Sequence, residues 1–194
     1  VRFLGFDLET SGSDVEKGHV PIEVGMANTE GATFSGYIYW NWGEAFKWSD
    51  QAAGVHRLTK QFLDENGLTA GEVANRAKGW LDQHFTAVSP SELHVVGWNV
   101  AGFDMPFVSR HLPKLRRRLS YRTVDLNAVL FTMVEANVER PSGGVWTYDS
   151  LKRHVKESSF EAMAHDGHFG KPHQASYDAL EALYSWSELR RLLR

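Results

Sequence analysis

The chain has 194 residues, 42% hydrophobic and 23% charged, a balance that suits one domain around a single sizeable core. No apolar run approaches the roughly 20 residues of a bilayer span, and the absence of cysteine excludes disulfide frameworks and thiolate metal sites. A formal net charge of −3 argues against a protein that grips long duplex DNA by its phosphates. Any nucleic acid would be held over a few nucleotides, or through metal ions.

The N-terminal VRFLGFDLET reads as a strand over 1–8 and lacks the basic-then-apolar pattern of a secretory leader. With the missing cysteines, it makes a cytoplasmic location the expectation. VPIEVGMAN (20–28) and TFSGYIYW (33–40) read as two more strands, and the turn-like TEGA between them predicts an antiparallel meander. The periodicity then changes. Thr69 and Glu72 form a T-x-x-E capping box, and Val73, Ala77, Trp80, Leu81 and Phe85 follow at helical spacing, predicting a helix over 70–87. LHVVGWN (93–99) is a short apolar strand, followed by a helix from about Met105 to Leu115.

YRTVD (121–125) predicts a fifth strand, leading into a helix over 126–138. RPSGGVW (140–146) is a loop, DSLKRHV a short helix, and HDGHFGKPH (165–173) a loop rich in glycine and histidine. The chain closes on a strong helix, SYDALEALYSWSELRRLL. The class is therefore α/β: a mixed five-stranded sheet, three antiparallel strands and then two parallel, flanked by helices in one domain over 1–194. Three basic clusters, around Lys114 to Arg122, Lys152 to Lys156 and Arg190 to Arg194, read as solvated helix faces. Trp40, Trp42 and Trp48 read as packing rather than as a stacking platform.

LGFDLETSG (4–12) places two acids one residue apart, at the end of an apolar run. Side chains alternate across a strand, so Asp7 and Glu9 share one face and Phe6 and Leu8 the other. Two carboxylates on one face with no basic neighbour repel each other unless cations neutralise them. Oxygen-only ligands favour a hard ion, Mg²⁺ or Mn²⁺, over zinc. The competing reading is a pair of acids in a solvated loop. In VVGWNVAGFDMPFV, Asp104 stands at the head of a helix, where an N-cap is the ordinary role. In PHQASYDALEA, His173 precedes Asp178 by five positions, where a loop histidine and a surface acid are the ordinary reading.

Together these stretches resemble the DEDDh family of 3′–5′ exonucleases, which have a ribonuclease H-like fold. FDLETSG is similar to the family's first motif, GWNVAGFDMPFV to its second, and HQASYDA to its third, H-x-A-x-x-D-A. Their order and separation fit over nearly the whole chain, and GVHRLT (54–59) resembles a segment that follows the third strand. One departure is that three residues separate Asn99 from Phe103, as in the exonuclease domain of family B DNA polymerases. Those enzymes carry a tyrosine where this chain has Gln174, so the histidine subtype is the better match.

The resemblance implies hydrolysis of phosphodiester bonds at the 3′ end of single-stranded DNA or RNA, with two Mg²⁺ or Mn²⁺ ions about 3.5–4 Å apart. It implies that Asp7 bridges the ions, that Glu9 and Asp178 hold the one that activates water, and that Asp104 supports the second. His173 would be the general base, with a reference pKa near 6.5 suited to neutral pH. Leu8, Thr10 and Phe103 would meet the terminal nucleotide, and Asn99 and His56 its sugar or phosphate, with core packing or loop solvation as the alternative for each. Glu23 either lies near the ions or faces water, and Asp125 is expected to cap a helix. Candidate partners are a polymerase, a replication or repair complex, and a second copy of the chain. Two rival functions stand beside this one: an oligoribonuclease-type enzyme on short RNA, and a noncatalytic nucleic-acid or polymerase-binding module.

Overall fold

A computed structural model of the chain describes residues 2–194, so Val1, the first residue of the expected N-terminal strand, lies outside the described residues. In chain order the elements are β1 (Arg2–Thr10), β2 (Pro21–Ala27), β3 (Thr33–Tyr37), α1 (Asp50–His56), α2 (Lys60–Asn66) and α3 (Ala70–His84). Then come β4 (Leu93–Gly97), α4 (Asp104–His111), α5 (Pro113–Arg116), β5 (Thr123–Asp125), α6 (Leu126–Glu135), α7 (Tyr148–His165) and α8 (Ala175–Leu192). The sheet is five-stranded in the order β3-β2-β1-β4-β5. β1, β2 and β3 pair antiparallel, whereas β4 joins β1 and β5 joins β4 in parallel. This is the expected mixed sheet with helices on both faces.

β1 sits at the centre. On one face Leu4, Phe6 and Leu8 pack with Val24 and Met26 against α3, α4 and α5, through Val73, Leu81, Phe107, Val108 and Leu115. On the other, Val96 joins Leu126, Leu130, Leu151, Val155 and Leu183 from α6, α7 and α8. Burial of each such side chain stabilises the fold by about 1.5–3 kcal/mol. The Trp40, Trp42 and Trp48 segment covers a satellite core of Val20, Ile22 and Leu63, and the Trp42 and Trp48 rings meet edge to face at 5.3 Å. Packing is what these tryptophans do.

Several boundaries differ from the sequence reading. β1 runs to Thr10, so Glu9 lies inside the strand rather than after it. α3 keeps its capping box, with the Thr69 hydroxyl accepting from the Glu72 amide and the Glu72 carboxylate accepting from the Thr69 amide. The helix expected from Met105 to Leu115 is two, because Pro113 lacks an amide to continue the ladder and starts α5 instead. α1 and α2 were not anticipated: each is seven residues long, with a single buried side chain, and each is started by a hydroxyl cap, Ser49 or Thr59. The helix expected over DSLKRHV extends to His165, because Leu151, Val155, Ser159 and Met163 continue one buried face at fourfold spacing. Among the described residues no helix is long and apolar enough to cross a membrane.

Candidate active site

The ladder between β1 and β4 ends at Gly5 and Val96, so the next part of β1 has no strand on that side. Asp104, in the first turn of α4, fills the gap: its Oδ1 accepts the Leu8 amide at 2.9 Å, and the residue is 2% exposed. The acid whose ordinary role would be a helix cap thus binds the sheet itself. On the other side of β1 the regular antiparallel register with β2 sets Glu9 directly across from Glu23, and the pairing slips just beyond, between Glu9 and Thr10.

The remaining acid arrives on α8. A β-carbon at Gly5 or at Gly25 would overlap the backbone carbonyls of Ala179 and Ala175 respectively. Absence of a side chain at both positions lets α8 lie directly on the sheet and bring Asp178 to the face that carries Asp7 and Glu9. Glu23, buried to 2% exposure, fastens the start of the helix: its Oε2 accepts the Ala175 amide at 3.3 Å, while Oε1 accepts the Ser35 hydroxyl at 2.8 Å. A carboxylate at a helix N-terminus is favoured by the unpaired amides there.

His173 stands just before α8, exposed and with a φ of 64°. Its amide donates to Asp178 Oδ2 at 2.8 Å. Glu9, His173 and Asp178 each offer a ligand atom, and these lie within 4.8 Å of one another. The other two histidines of the loop are elsewhere: His165 pairs with Asp166, and His168 packs by Gly31 and Tyr184.

The electrostatics match a site that lacks only positive charge. Burial pushes the Asp7 carboxyl well above its ordinary range, and the charges of Asp104, Glu9, Asp178 and Glu23 add to it. Burial, then Asp178, Glu23 and Asp104, push Glu9 up to about 8. Asp104, Asp178 and Glu23 are raised as well, chiefly by burial. Five carboxyls resist ionisation in one place, a cost that a bound cation would relieve. The carboxylates of Glu9 and Asp178 lie close enough together to share such an ion, and the charges of Asp104 and Glu9 act on Asp7 beside them.

Leu8, Thr10, His56 and Phe103 line one cleft of about 180 Å³ beside Glu9. His56 is buried, its Nδ1 accepts the Leu58 amide at 3.0 Å, and its Nε2 has no hydrogen-bond partner. Burial holds its pKa below the usual value, with the His173 charge adding to the effect. Asn99 does not line the cleft. It turns the chain in a left-handed conformation, φ 58°, and its carbonyl accepts the amides of Gly102 and Phe103. Asp125 is the helix cap it was expected to be, accepting the Asn127 amide at 3.1 Å.

Two features escaped the sequence reading. Glu181 is fully buried one turn after Asp178, where its carboxylate accepts the Trp98 indole N–H at 2.8 Å, the Lys156 ammonium at 3.0 Å and the Ser185 hydroxyl. Lys156, expected on a solvated face, is therefore turned inward, and its charge draws Asp178 downward against burial. The three-residue offset from Asp178 to Glu181 was a usable signal, because it places both on one helix face.

The chain has the ribonuclease H-like fold, and solved structures of Exonuclease I share it. Escherichia coli Exonuclease I in complex with a dA16 oligonucleotide superposes with a TM-score of 0.61 at 15% identity, over 98% of this chain and 41% of that one. A moderately thermophilic Exonuclease I from Methylocaldum szegediense gives 0.61 at 17%, over 97% and 40%. The zinc-bound form of the E. coli Exonuclease I complex with single-stranded DNA gives 0.62 at 18%, over 98% and 41%. The chain spans about two fifths of the length of these proteins. No protein-family model matches it, and no curated protein matches it by sequence.

Proposed function

We propose that this chain is a metal-dependent 3′–5′ exonuclease domain that removes 5′-mononucleotides from the 3′ end of single-stranded nucleic acid, DNA in preference to RNA. The observation that carries the reading is the convergence of Glu9, His173 and Asp178 within 4.8 Å, beside Asp7 and Asp104, at the carboxyl ends of β1 and β4. Open α/β sheets bind ligands at that edge. The shared fold of Exonuclease I, solved with single-stranded DNA and in one case with zinc, supports both the substrate class and the need for a metal.

Asp7, Glu9, Asp104 and Asp178 would hold two divalent ions, Mg²⁺ or Mn²⁺. When bound, such ions neutralise charge on the phosphate and favour an ionised attacking water. His173 takes the proton of that water at its imidazole. Its exposure lets it reach the solvent side of the scissile phosphate, and its amide bond to Asp178 keeps the ring beside the carboxylates. In the adjoining cleft Leu8 and Phe103 offer apolar surface to the terminal base, and Thr10 and His56 line the wall. From that wall His56 would meet a sugar or phosphate oxygen.

The test is digestion of 5′-end-labelled single-stranded DNA and RNA with Mg²⁺ or Mn²⁺, with a chelator arm and an Asp7→Ala control. A ladder shortening from the 3′ end, lost in both controls, is expected. Binding without nucleotide release would favour the noncatalytic module, and activity confined to very short RNA would favour the oligoribonuclease type.

A further inference from the structure

One face of α7 carries a motif of its own. Tyr148, Lys152, Lys156 and Phe160 recur every fourth residue, each half-buried, and so form a single stripe along the helix. Trp98, from the turn after β4, lies against its middle: the Lys152 ammonium is 5.3 Å and the Lys156 ammonium 4.8 Å from its ring centroid. Lys152 is also 5.7 Å from the Tyr148 ring. At the far end Phe160 stacks on Tyr177, centroids 6.2 Å apart and planes within 10°, and Tyr177 adjoins Asp178. The stripe meets the acidic site at Lys156, which pairs with Glu181 and lies near enough to Asp178 for its charge to act there.

The two lysines are not equivalent. Lys156 is neutralised by the buried Glu181. Lys152 has no carboxylate within ion-pair distance among the described residues, and only aromatic rings orient it. An ammonium without a counter-ion, held in place on rings, beside an acidic site on a chain of net charge −3, is matched by a polyanion that carries flat bases. From Tyr148 to Phe160 the helix rises about 18 Å, which is roughly five nucleotides of a stacked strand at about 3.4 Å each.

We infer that the Trp98–Lys152 face of α7 binds the single-stranded nucleic acid 5′ to the scissile bond, with Lys152 pairing with a backbone phosphate. This inference rests on the exonuclease reading and extends it. That reading concerns the last nucleotide and its phosphodiester; the stripe concerns the strand behind them. Lys156 then acts as a positioning residue, because its bond to Glu181 fixes the rail on which Trp98 and Lys152 sit.

The test is the affinity of 5′-fluorescein-labelled dT12 and U12 by anisotropy, in Ca²⁺ to suppress turnover, over a range of salt. Lys152→Ala is expected to weaken dT12 binding several-fold and to reduce the slope of log affinity against log salt by about 0.7, one phosphate contact on a single strand. Lys152→Arg should restore both, and an unchanged melting temperature in all three proteins excludes misfolding. Wild-type affinity and slope in Lys152→Ala would overturn the inference and leave the exonuclease reading standing, provided the wild type still degrades DNA in Mg²⁺. A wild type that neither binds nor degrades either strand would bring down both.

Discussion

The main-chain amide of His173 donates to the Asp178 carboxylate at 2.8 Å, so the proposed base and a proposed metal ligand are joined through backbone rather than through the imidazole. Truncating the ring therefore leaves that bond intact. His173→Ala should retain the rise in melting temperature that Mn²⁺ produces, while turnover falls by about 10²- to 10⁴-fold, the usual worth of a positioned base. Single-turnover rates and melts on the same preparation check both halves, and unchanged turnover would remove the assignment.

Asp7 behaves oppositely. Four other acids push its carboxyl upward, so without cations it is a source of repulsion. Asp7→Asn should raise the melting temperature in chelator, abolish activity, and abolish most of the stabilisation by Mn²⁺. For the wild type an ion at 100 times its Kd adds about 2.7 kcal/mol. A variant less stable than wild type in chelator would contradict the repulsion.

The same acids set a pH dependence. Glu9 has a folded-state pKa of about 8 against an ordinary 4.5, so between those values the folded chain binds more protons than the unfolded one. Stability contributed by this group is complete below about pH 4.5 and is lost as pH rises through 8. In chelator the melting temperature should fall from pH 6 to pH 8.5, Glu9→Gln should flatten the decline, and saturating Mn²⁺ should reverse it. A pH titration of thermal melts measures all three.

Two glycine substitutions should differ in sign. Gly25→Ala drives a methyl into the Ala175 carbonyl and should cost about 1–3 kcal/mol or more as α8 shifts, with turnover falling further as Asp178 and His173 move. Gly79→Ala, on the open surface of α3, has no neighbour within 4 Å and should stabilise by about 0.5–1 kcal/mol. Chemical denaturation compares them directly.

What was legible in the sequence was the chemistry carried by short-range pattern. Alternation put Asp7 and Glu9 on one face, the resemblance of three motifs tied Asp104, His173 and Asp178 to them, and the structure brings Glu9, His173 and Asp178 within 4.8 Å. The capping box at Thr69 and Glu72 told where α3 begins because it is a local hydrogen-bond circuit. The misses are of two kinds. α1 and α2 have too few apolar positions to show a period, and their caps become visible only once the chain is folded. Glu181 and the inward turn of Lys156 were not anticipated, and Glu23 was left open between the acid cluster and water, because a charged residue's burial depends on what covers it. The covers here are the start of α8, Trp98 and Ser185, distant in sequence from at least two of the three charges. Asn99 adopts the left-handed backbone of a turn residue, which asparagine tolerates well, and its expected contact with a sugar or phosphate stands as a proposal.

β1 has one more consequence. Gly5 seats α8 together with Gly25 of β2, Asp7 and Glu9 offer their own oxygens, and the Leu8 amide tethers Asp104, so three of the four proposed ligands are referenced to residues 5–9 and the fourth rests partly on them. Relative errors in ligand placement then scale with one short rigid segment and not with the long path through the outer helices. A shift of this one strand would therefore move Asp7, Glu9 and the tether of Asp104 together.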